Sequence, residues 1–377
     1  MFKKVNNFVF ITLFLLVLFV PLIFAKWESG GVSEEENRNL AKFPALVTEG
    51  QFNSAFTKDF EIWFMDHMGF RKWLIDENKE LQQVVFNRSL TTSDVKVGRT
   101  GDYIYATDAI IKDYAHVNLR TEEVVAQIGQ SYQAASDWLK EKGIHFYYVQ
   151  CVDKHTIYPE RFISTVKQIG SVSKTDQVLT YLENETTVNA IYFKGVLAES
   201  REQYDVFGHW GDSSHWTDRG AYIAYRYMMD RINESTNYDL KVLEESDYVI
   251  TEKRQYGPEG QVEHVESFEI ADSKAKKTDV SVQGKWAEDH RHSVWENPDA
   301  PNDYRLLIMG DSYFNNHLVD DLAESFREVW LVWGDYTYEF TDVVEHCNPD
   351  IVIYEYAERV DRSGAVIKMA ESLIETN

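Results

Sequence analysis

Four short apolar runs constrain this chain more than any other feature: "IHFYYVQ" from Ile144, "YRLLIM" from Tyr304, "EVWLVW" from Glu328 and "PDIVIYEYA" from Pro349. Strands buried on both faces read as near-continuous apolar runs, as in parallel sheets. Stretches of helical periodicity separate them. Val124, Val125, Ile128, Tyr132, Ala135, Trp138 and Leu139 mark one apolar helix face that stops at Gly143. A shorter helix, about 175–182, precedes the strand "NAIYF", and "TDRGAYIAYRYMMDRI", "LVDDLAESF" and "FTDVVEHC" continue the pattern. Strands alternating with helices predict an α/β fold with a mainly parallel sheet flanked by helices. "VKVGRTGDYIY", Val95 to Tyr105, reads as two short strands about a glycine turn. The segment 238–303 is polar, charged and without helical period, and reads as an inserted β-rich or loop excursion.

The N-terminus carries a different signal. Lys3 and Lys4 precede "FVFITLFLLVLFVPLIFA", Phe8 to Ala25. At ~1.5 Å per residue this run spans a bilayer core of roughly 30 Å. The positive flank places the bulk of the chain outside the cytoplasm. The run is either an uncleaved membrane anchor or a signal peptide cut after Ala25. Its length, and the lack of small residues before Ala25, favour the anchor. Residues 26–92 follow as a polar linker, "ESGGVSEEENRNLAKFP", and N-terminal helices. In the first helix Phe52, Phe56, Phe60 and Phe64 recur every four residues beside Trp63; the second runs from Arg71 to Phe86. Residues 93–377 form the main domain.

The formal net charge of -24 argues against nucleic acid as a partner and against electrostatic docking to anionic lipid. The two cysteines, Cys151 and Cys347, exclude a small disulfide scaffold, and sequence leaves open whether they pair.

Gly-Asp-Ser occurs twice, in "WGDSSHW" (Trp210 to Trp216) and in "MGDSYF" (Met309 to Phe314). Their contexts differ. Ahead of Gly310 stands a buried-strand run, and behind Ser312 a helical pattern resumes. A serine at the carboxyl end of a strand in an open α/β sheet faces the crevice where sites form, and the following helix offers backbone N–H groups to an oxyanion. The first copy has no clean strand before it. It offers Asp212 and His215 instead, three apart. A serine nucleophile needs a base, and the base needs an orienting carboxylate. Ser312, His215 and Asp212 are therefore the candidate triad, with Asp205 and Asp218 as alternative acids.

These motifs, with "SEEENRNLAKFP", "FEIWFMDHMGFR", "VKVGRTGDYIY", "DKHTIYPE", "DSSHWTDRGAY" and "PDIVIYEYAER" in this order, resemble the SGNH-hydrolase-like proteins of polysaccharide O-acetylation, the alginate O-acetyltransferase AlgX/AlgJ type and the related DHHW proteins. The resemblance spans most of the chain. It implies an SGNH-type sheet in which the Asp-His segment precedes the nucleophile, the reverse of ordinary SGNH hydrolases. It implies an acyl-transfer site with Ser312, His215 and Asp212 as triad. One departure stands: the family often leaves one residue between Asp and His, and here there are two.

The expected activity is O-acetyl transfer, through an acetyl-serine, to a cell-surface or secreted polysaccharide, with a multi-span membrane acyltransferase as donor partner. An acetyl esterase using the same residues, or a non-catalytic glycan-binding or assembly subunit, are the alternatives. The charge suits a neutral or weakly charged glycan better than a polyanion. Tyr313, Lys154, Arg359 and Asn315 are the candidates to line the cleft, and Asn315 and Asn316 stand near any oxyanion. His209, Asp212 and His215 are spaced three apart but straddle Gly211, and His290 with His292 lies in the polar excursion. Neither set reads as a metal site, and no cofactor is expected.

Overall fold

The computed structural model describes residues 10–12, 14–16, 19–21, 23–25, 32–33, 38–48, 50–70, 94–257, 261–278, 280, 282, 286–287, 291–333 and 340–375. The chain divides into two compact units, 1–90 and 91–377.

In the first unit the aromatic repeat forms the helix Phe56–His67, preceded by a short antiparallel pair, Val47–Thr48 with Gln51–Phe52. Phe52 thus sits on a strand, and the helical face starts at Phe56. Trp63 and His67 are buried there, their rings stacked with centroids 5.2 Å apart. The expected helix 71–86 lies outside the described residues, as does part of the apolar run 8–25. Among the described residues no helix is long and apolar enough to cross a membrane.

The second unit opens with the hairpin β1 (Val95–Val97) and β2 (Tyr103–Tyr105) and the helix α1 (Asp108–Ala115). Then come α2 (Glu122–Glu141), β3 (His145–Cys151), α3 (Lys174–Glu185), β4 (Asn189–Tyr192), α4 (Lys194–Ser200) and α5 (Asp218–Thr236). The segment 238–303 is built of strands. β5 (Tyr248–Tyr256) and β6 (Val262–Ile270) make an antiparallel hairpin, followed by β7 (Lys276–Thr278) and β8 (His292–Glu296). The chain ends with β9 (Arg305–Gly310), α6 (Ser312–His317), α7 (Val319–Ala323), β10 (Glu328–Trp333), α8 (Phe340–Cys347), β11 (Ile351–Ala357) and α9 (Ser363–Glu375).

Seven strands form the main sheet in the order β7-β8-β10-β9-β11-β3-β4. β10, β9, β11, β3 and β4 run parallel; β8 and β7 add to one edge antiparallel. Alternate residues of each strand enter opposite cores. Leu306, Ile308, Ile351 and Ile353 pack with α5 residues such as Tyr225 and Met228. Leu307, Met309, Val352 and Tyr354 pack with α2 and α9 residues such as Tyr132, Leu139 and Met369. The two cysteines are free and belong to different cores, Cys151 to the first and Cys347 to the second. Cys151 ends β3 and Cys347 ends α8, and they enter cores on opposite faces of the sheet, so they do not pair.

Helix starts follow their capping chemistry. Thr121 and Thr217 each turn a side-chain oxygen back onto a first-turn N–H, of Val124 and Gly220. The second cap matters most for function, because it fixes where the chain leaves the loop containing His215 and enters α5.

Candidate active site

β9, β11 and β3 lie side by side at the centre of the sheet. Their carboxyl ends deliver Ser312, the pair Glu358 and Arg359, and Asp153 to one region. The His215 loop packs over them.

The turn from β9 into α6 is held from three sides. Asp311 caps α6, its Oδ1 accepting from the Tyr313 N–H at 2.9 Å. Its Oδ2 accepts from the Ala357 N–H at the end of β11, also at 2.9 Å. Its own N–H donates to Glu355 Oε2 at 3.0 Å. Burial pushes the Glu355 carboxyl well above the usual range. A Cβ on Gly310 would meet Glu355 Oε2 at 2.6 Å. This glycine is required by close packing, whereas Gly211 of the first Gly-Asp-Ser is required by its φ of +78°. The tripeptides are alike only as sequence.

Ser312 Oγ lies 2.7 Å from His215 Nε2, and His215 Nδ1 lies 2.7 Å from Asp212 Oδ2. A carboxylate only accepts, so the Nδ1 proton points at Asp212 and Nε2 is left to accept from the serine hydroxyl. The two-residue gap is absorbed by a local turn. Asp212 Oδ1 accepts from the N–H groups of Ser214 (2.8 Å) and His215 (3.2 Å) and from the Ser214 hydroxyl (2.7 Å). Burial would raise the Asp212 carboxyl, but the hydrogen bond and charge of His215 prevail and hold it well below the usual carboxylate range. Asp205 and Asp218 are engaged elsewhere, Asp205 4.0 Å from Arg161 and Asp218 3.4 Å from His317.

Two of the expected cleft residues serve as supports instead. Tyr313 is fully buried, and its hydroxyl donates to the Val152 carbonyl at 2.7 Å, with the Ser214 carbonyl at 3.0 Å. Its ring meets those of His215 and Trp216 edge-on. Arg359 pairs with Asp153, and its Nη1 donates to the Ser214 carbonyl at 3.0 Å. Both residues therefore brace the peptide just before His215. Lys154 is a correction. Its side chain is 4% exposed and its ammonium donates to the carbonyls of Tyr103 and Gly208, so it does not line the cleft. A strand end locates the backbone, and this long side chain turns inward toward buried Asp102, 3.6 Å away. Asn315 does line a cavity, together with Asn316 and His317.

Sequence reasoning passed over Asp153, Asp311, Glu355, Glu358 and His317. Asp153 stood in the quoted "DKHTIYPE" and Asp311 inside the Gly-Asp-Ser itself; each follows a buried strand, the one signal that was available.

Asp212, His215 and His317 are close enough to share a cation, as are buried Asp113, His155 and Glu358. In the first group both His215 nitrogens are committed, to Asp212 and to Ser312. In the second, the Lys174 ammonium lies 3.8 Å from Asp113 and His155 Nε2 faces the same carboxylate at 3.2 Å. That is a charge-balanced buried cluster rather than an open ligand set. His209, the remaining residue of the three-spaced set, pairs with Asp102 at 2.7 Å. His292 lies on β8, and His290 is outside the described residues.

A mainly parallel sheet flanked by helices, with a serine at the end of its central strand, is an α/β architecture that forms sites at its strand ends. Residues 113–346 match the family described as "SGNH hydrolase-like domain, acetyltransferase AlgX", and the chain belongs to that family. Among solved structures, PatB1 of Bacillus cereus with a sulfonyl adduct is 17% identical with a TM-score of 0.52, the alignment covering 71% of this chain and 98% of that one. A second PatB1 structure gives 16% and 0.51, covering 72% and 96%. The O-acetyltransferase domain of Pseudomonas putida AlgJ is 13% identical with a TM-score of 0.48, covering 75% and 99%. The PatB1 likeness speaks to the fold. No curated protein matches this sequence.

Proposed function

We propose that the chain is an extracytoplasmic polysaccharide O-acetyltransferase that works through an acetyl-serine on Ser312. The observation that carries this reading is the line of contacts from Ser312 Oγ through His215 to Asp212, in a chain of an acetyltransferase family. His215 Nε2 takes the hydroxyl proton as Ser312 Oγ attacks the acetyl carbonyl of the donor. The leaving group departs with that proton. A sugar hydroxyl then gives its proton to His215 and attacks the acetyl-serine, releasing the acetylated sugar and restoring Ser312. Ser312 opens α6, so its backbone N–H has no acceptor within the helix and suits the oxyanion. The apolar run after Lys3 and Lys4 supports a location outside the cytoplasm, held to the membrane or released. The likeness to polysaccharide O-acetylation proteins implies a multi-span membrane acyltransferase as the acetyl donor.

The decisive experiment is Ser312→Ala assayed on a chromogenic acetyl ester, with a sulfonyl fluoride as a parallel probe. The expected results are loss of turnover, a sulfonyl adduct on Ser312 of the native protein, and none in His215→Ala. Undiminished turnover by Ser312→Ala would sink the proposal. Net removal of acetyl groups, with no transfer to any glycan offered, would make the protein an esterase on the same residues.

A further inference from the structure

Next to the candidate triad the described residues line a half-open cavity of about 810 Å³. Ligand pockets span roughly 300–1,000 Å³. One wall is the end of α6, with Asn315, Asn316 and His317; another comes from the β5–β6 hairpin and the edge strands, including Phe268 and Trp295. Ser312 and His215 stand just beyond this lining. The link is His317. Its ring centroid is 5.7 Å from that of His215, and its Nδ1 lies 3.4 Å from Asp218 Oδ1, another lining residue.

Aromatic rings and polar atoms share the walls. Tyr222, Tyr248 and Phe268 pack against one another with centroids 5.3 to 5.5 Å apart. Trp295 Nε1 donates to Asp320 Oδ1 at 2.8 Å, and the Tyr248 hydroxyl donates to Asp321 Oδ1 at 3.0 Å. Aromatic lining beside hydrogen-bond acceptors suits a sugar ring, which has an apolar face and donating hydroxyls at its edge.

The charge of the walls sorts sugars further. Three carboxylates, Asp218, Glu269 and Asp320, face the cavity against two ammonium groups, Lys253 and Lys277; a fourth carboxyl, Asp321, is buried and adds its charge only as the pH reaches about 7. Lys277 is drawn over the Trp295 ring, 5.2 Å from its centroid. A uronate carboxylate entering here meets an excess of its own sign, which in a partly enclosed site is weakly screened. An uncharged sugar instead offers its hydroxyls to those carboxylates.

We propose that this cavity is the acceptor seat and that it takes an uncharged glycan in preference to a uronate polymer. The proposal rests on the acyl-transfer reading above. The test is calorimetric titration of the full chain carrying Ser312→Ala with hexasaccharides of glucose, mannose, N-acetylglucosamine and mannuronate. At least one neutral oligosaccharide is expected to bind roughly tenfold tighter than the mannuronate. Adding Trp295→Ala is expected to weaken that binding roughly tenfold. Trp295 is buried, so Asp320→Lys, at an exposed position, gives a second readout: it is expected to raise mannuronate affinity several-fold. Mannuronate binding as tightly as the best neutral sugar, no neutral sugar binding, or mannuronate affinity unmoved by Asp320→Lys would each overturn the assignment. If Ser312→Ala abolishes ester turnover but the charge order is reversed, only the cavity assignment falls. If turnover survives that change, the parent reading falls instead.

Discussion

Asp212→Asn changes one atom, and its effect follows from where the protons lie. In the native protein Asp212 Oδ2 accepts the Nδ1 proton of His215, which leaves Nε2 free to accept from Ser312. An asparagine can keep its Oδ1 on the Ser214 and His215 N–H groups, so the turn survives. Its Nδ2 then points two protons at His215 Nδ1. The imidazole must move its own proton to Nε2, where it confronts the Ser312 hydroxyl as a donor, and the base is lost. Replacing the carboxylate of a Ser-His-Asp triad by an amide costs roughly 10⁴-fold in kcat by this route. At about 1.36 kcal/mol per tenfold, that is about 5 kcal/mol of barrier. Stability should scarcely change, because the Asp212 side chain is 49% exposed and its backbone contacts have replacements. The assay is steady-state turnover of a chromogenic acetyl ester, with the tautomer of His215 read from its ring nitrogen shifts and folding checked by thermal unfolding. A kcat within threefold of native, or an imidazole still protonated on Nδ1, would refute the reasoning.

Three further outcomes are expected. Gly310→Ala pushes a Cβ against the buried Glu355 carboxyl and should destabilise the fold by about 1–3 kcal/mol, measured by urea unfolding. Arg359→Met leaves Asp153 buried without its cationic partner and removes one of the two donors to the Ser214 carbonyl; it should cost about 3–5 kcal/mol of stability. At temperatures where that variant is folded, kcat should fall while the affinity for an acetyl ester is kept. Burial raises the Asp321 carboxyl to about 7, so the native state holds a proton that the unfolded chain has released between pH 4 and 7. Its contribution to stability is present below pH 4 and disappears as pH climbs to 7, a change of up to about 4 kcal/mol. Asp321→Asn keeps an acceptor for Tyr248 and should flatten this part of the stability–pH curve; a parallel curve for the variant would refute the assignment.

The central strands were legible because burial on both faces leaves only apolar residues to choose from, as in "YRLLIM" and "PDIVIYEYA". α2 and α5 were legible from their periodicity. α1 and α9 carry weaker signals: α1 is only eight residues, and α9 lies beyond the last strand motif. The grouping of Ser312, His215 and Asp212 was within reach because each stood at a recognisable junction. The layer behind them was not. Tyr313 and Arg359, the latter paired with Asp153, meet at the Ser214 carbonyl only because β9, β11 and β3 are neighbours, and strand order is a long-range property that no local pattern encodes. Lys154 was misplaced for the same reason: the carbonyls that draw its ammonium inward come from segments about fifty residues away in either direction.

The position of β9 in the sheet has a consequence for how the protein matures. Both of its neighbours, β10 and β11, come later in the chain. The turn before Ser312 is tied to Glu355 and Ala357 of β11. The Asp212 turn, by contrast, makes its own hydrogen bonds to Ser214 and His215, nearly a hundred residues earlier. During synthesis from the N-terminus the serine therefore has no fixed place until almost the last strand has been made. Chains halted before β11 would carry every residue of the candidate triad and lack the strand whose Glu355 and Ala357 hold the turn before Ser312.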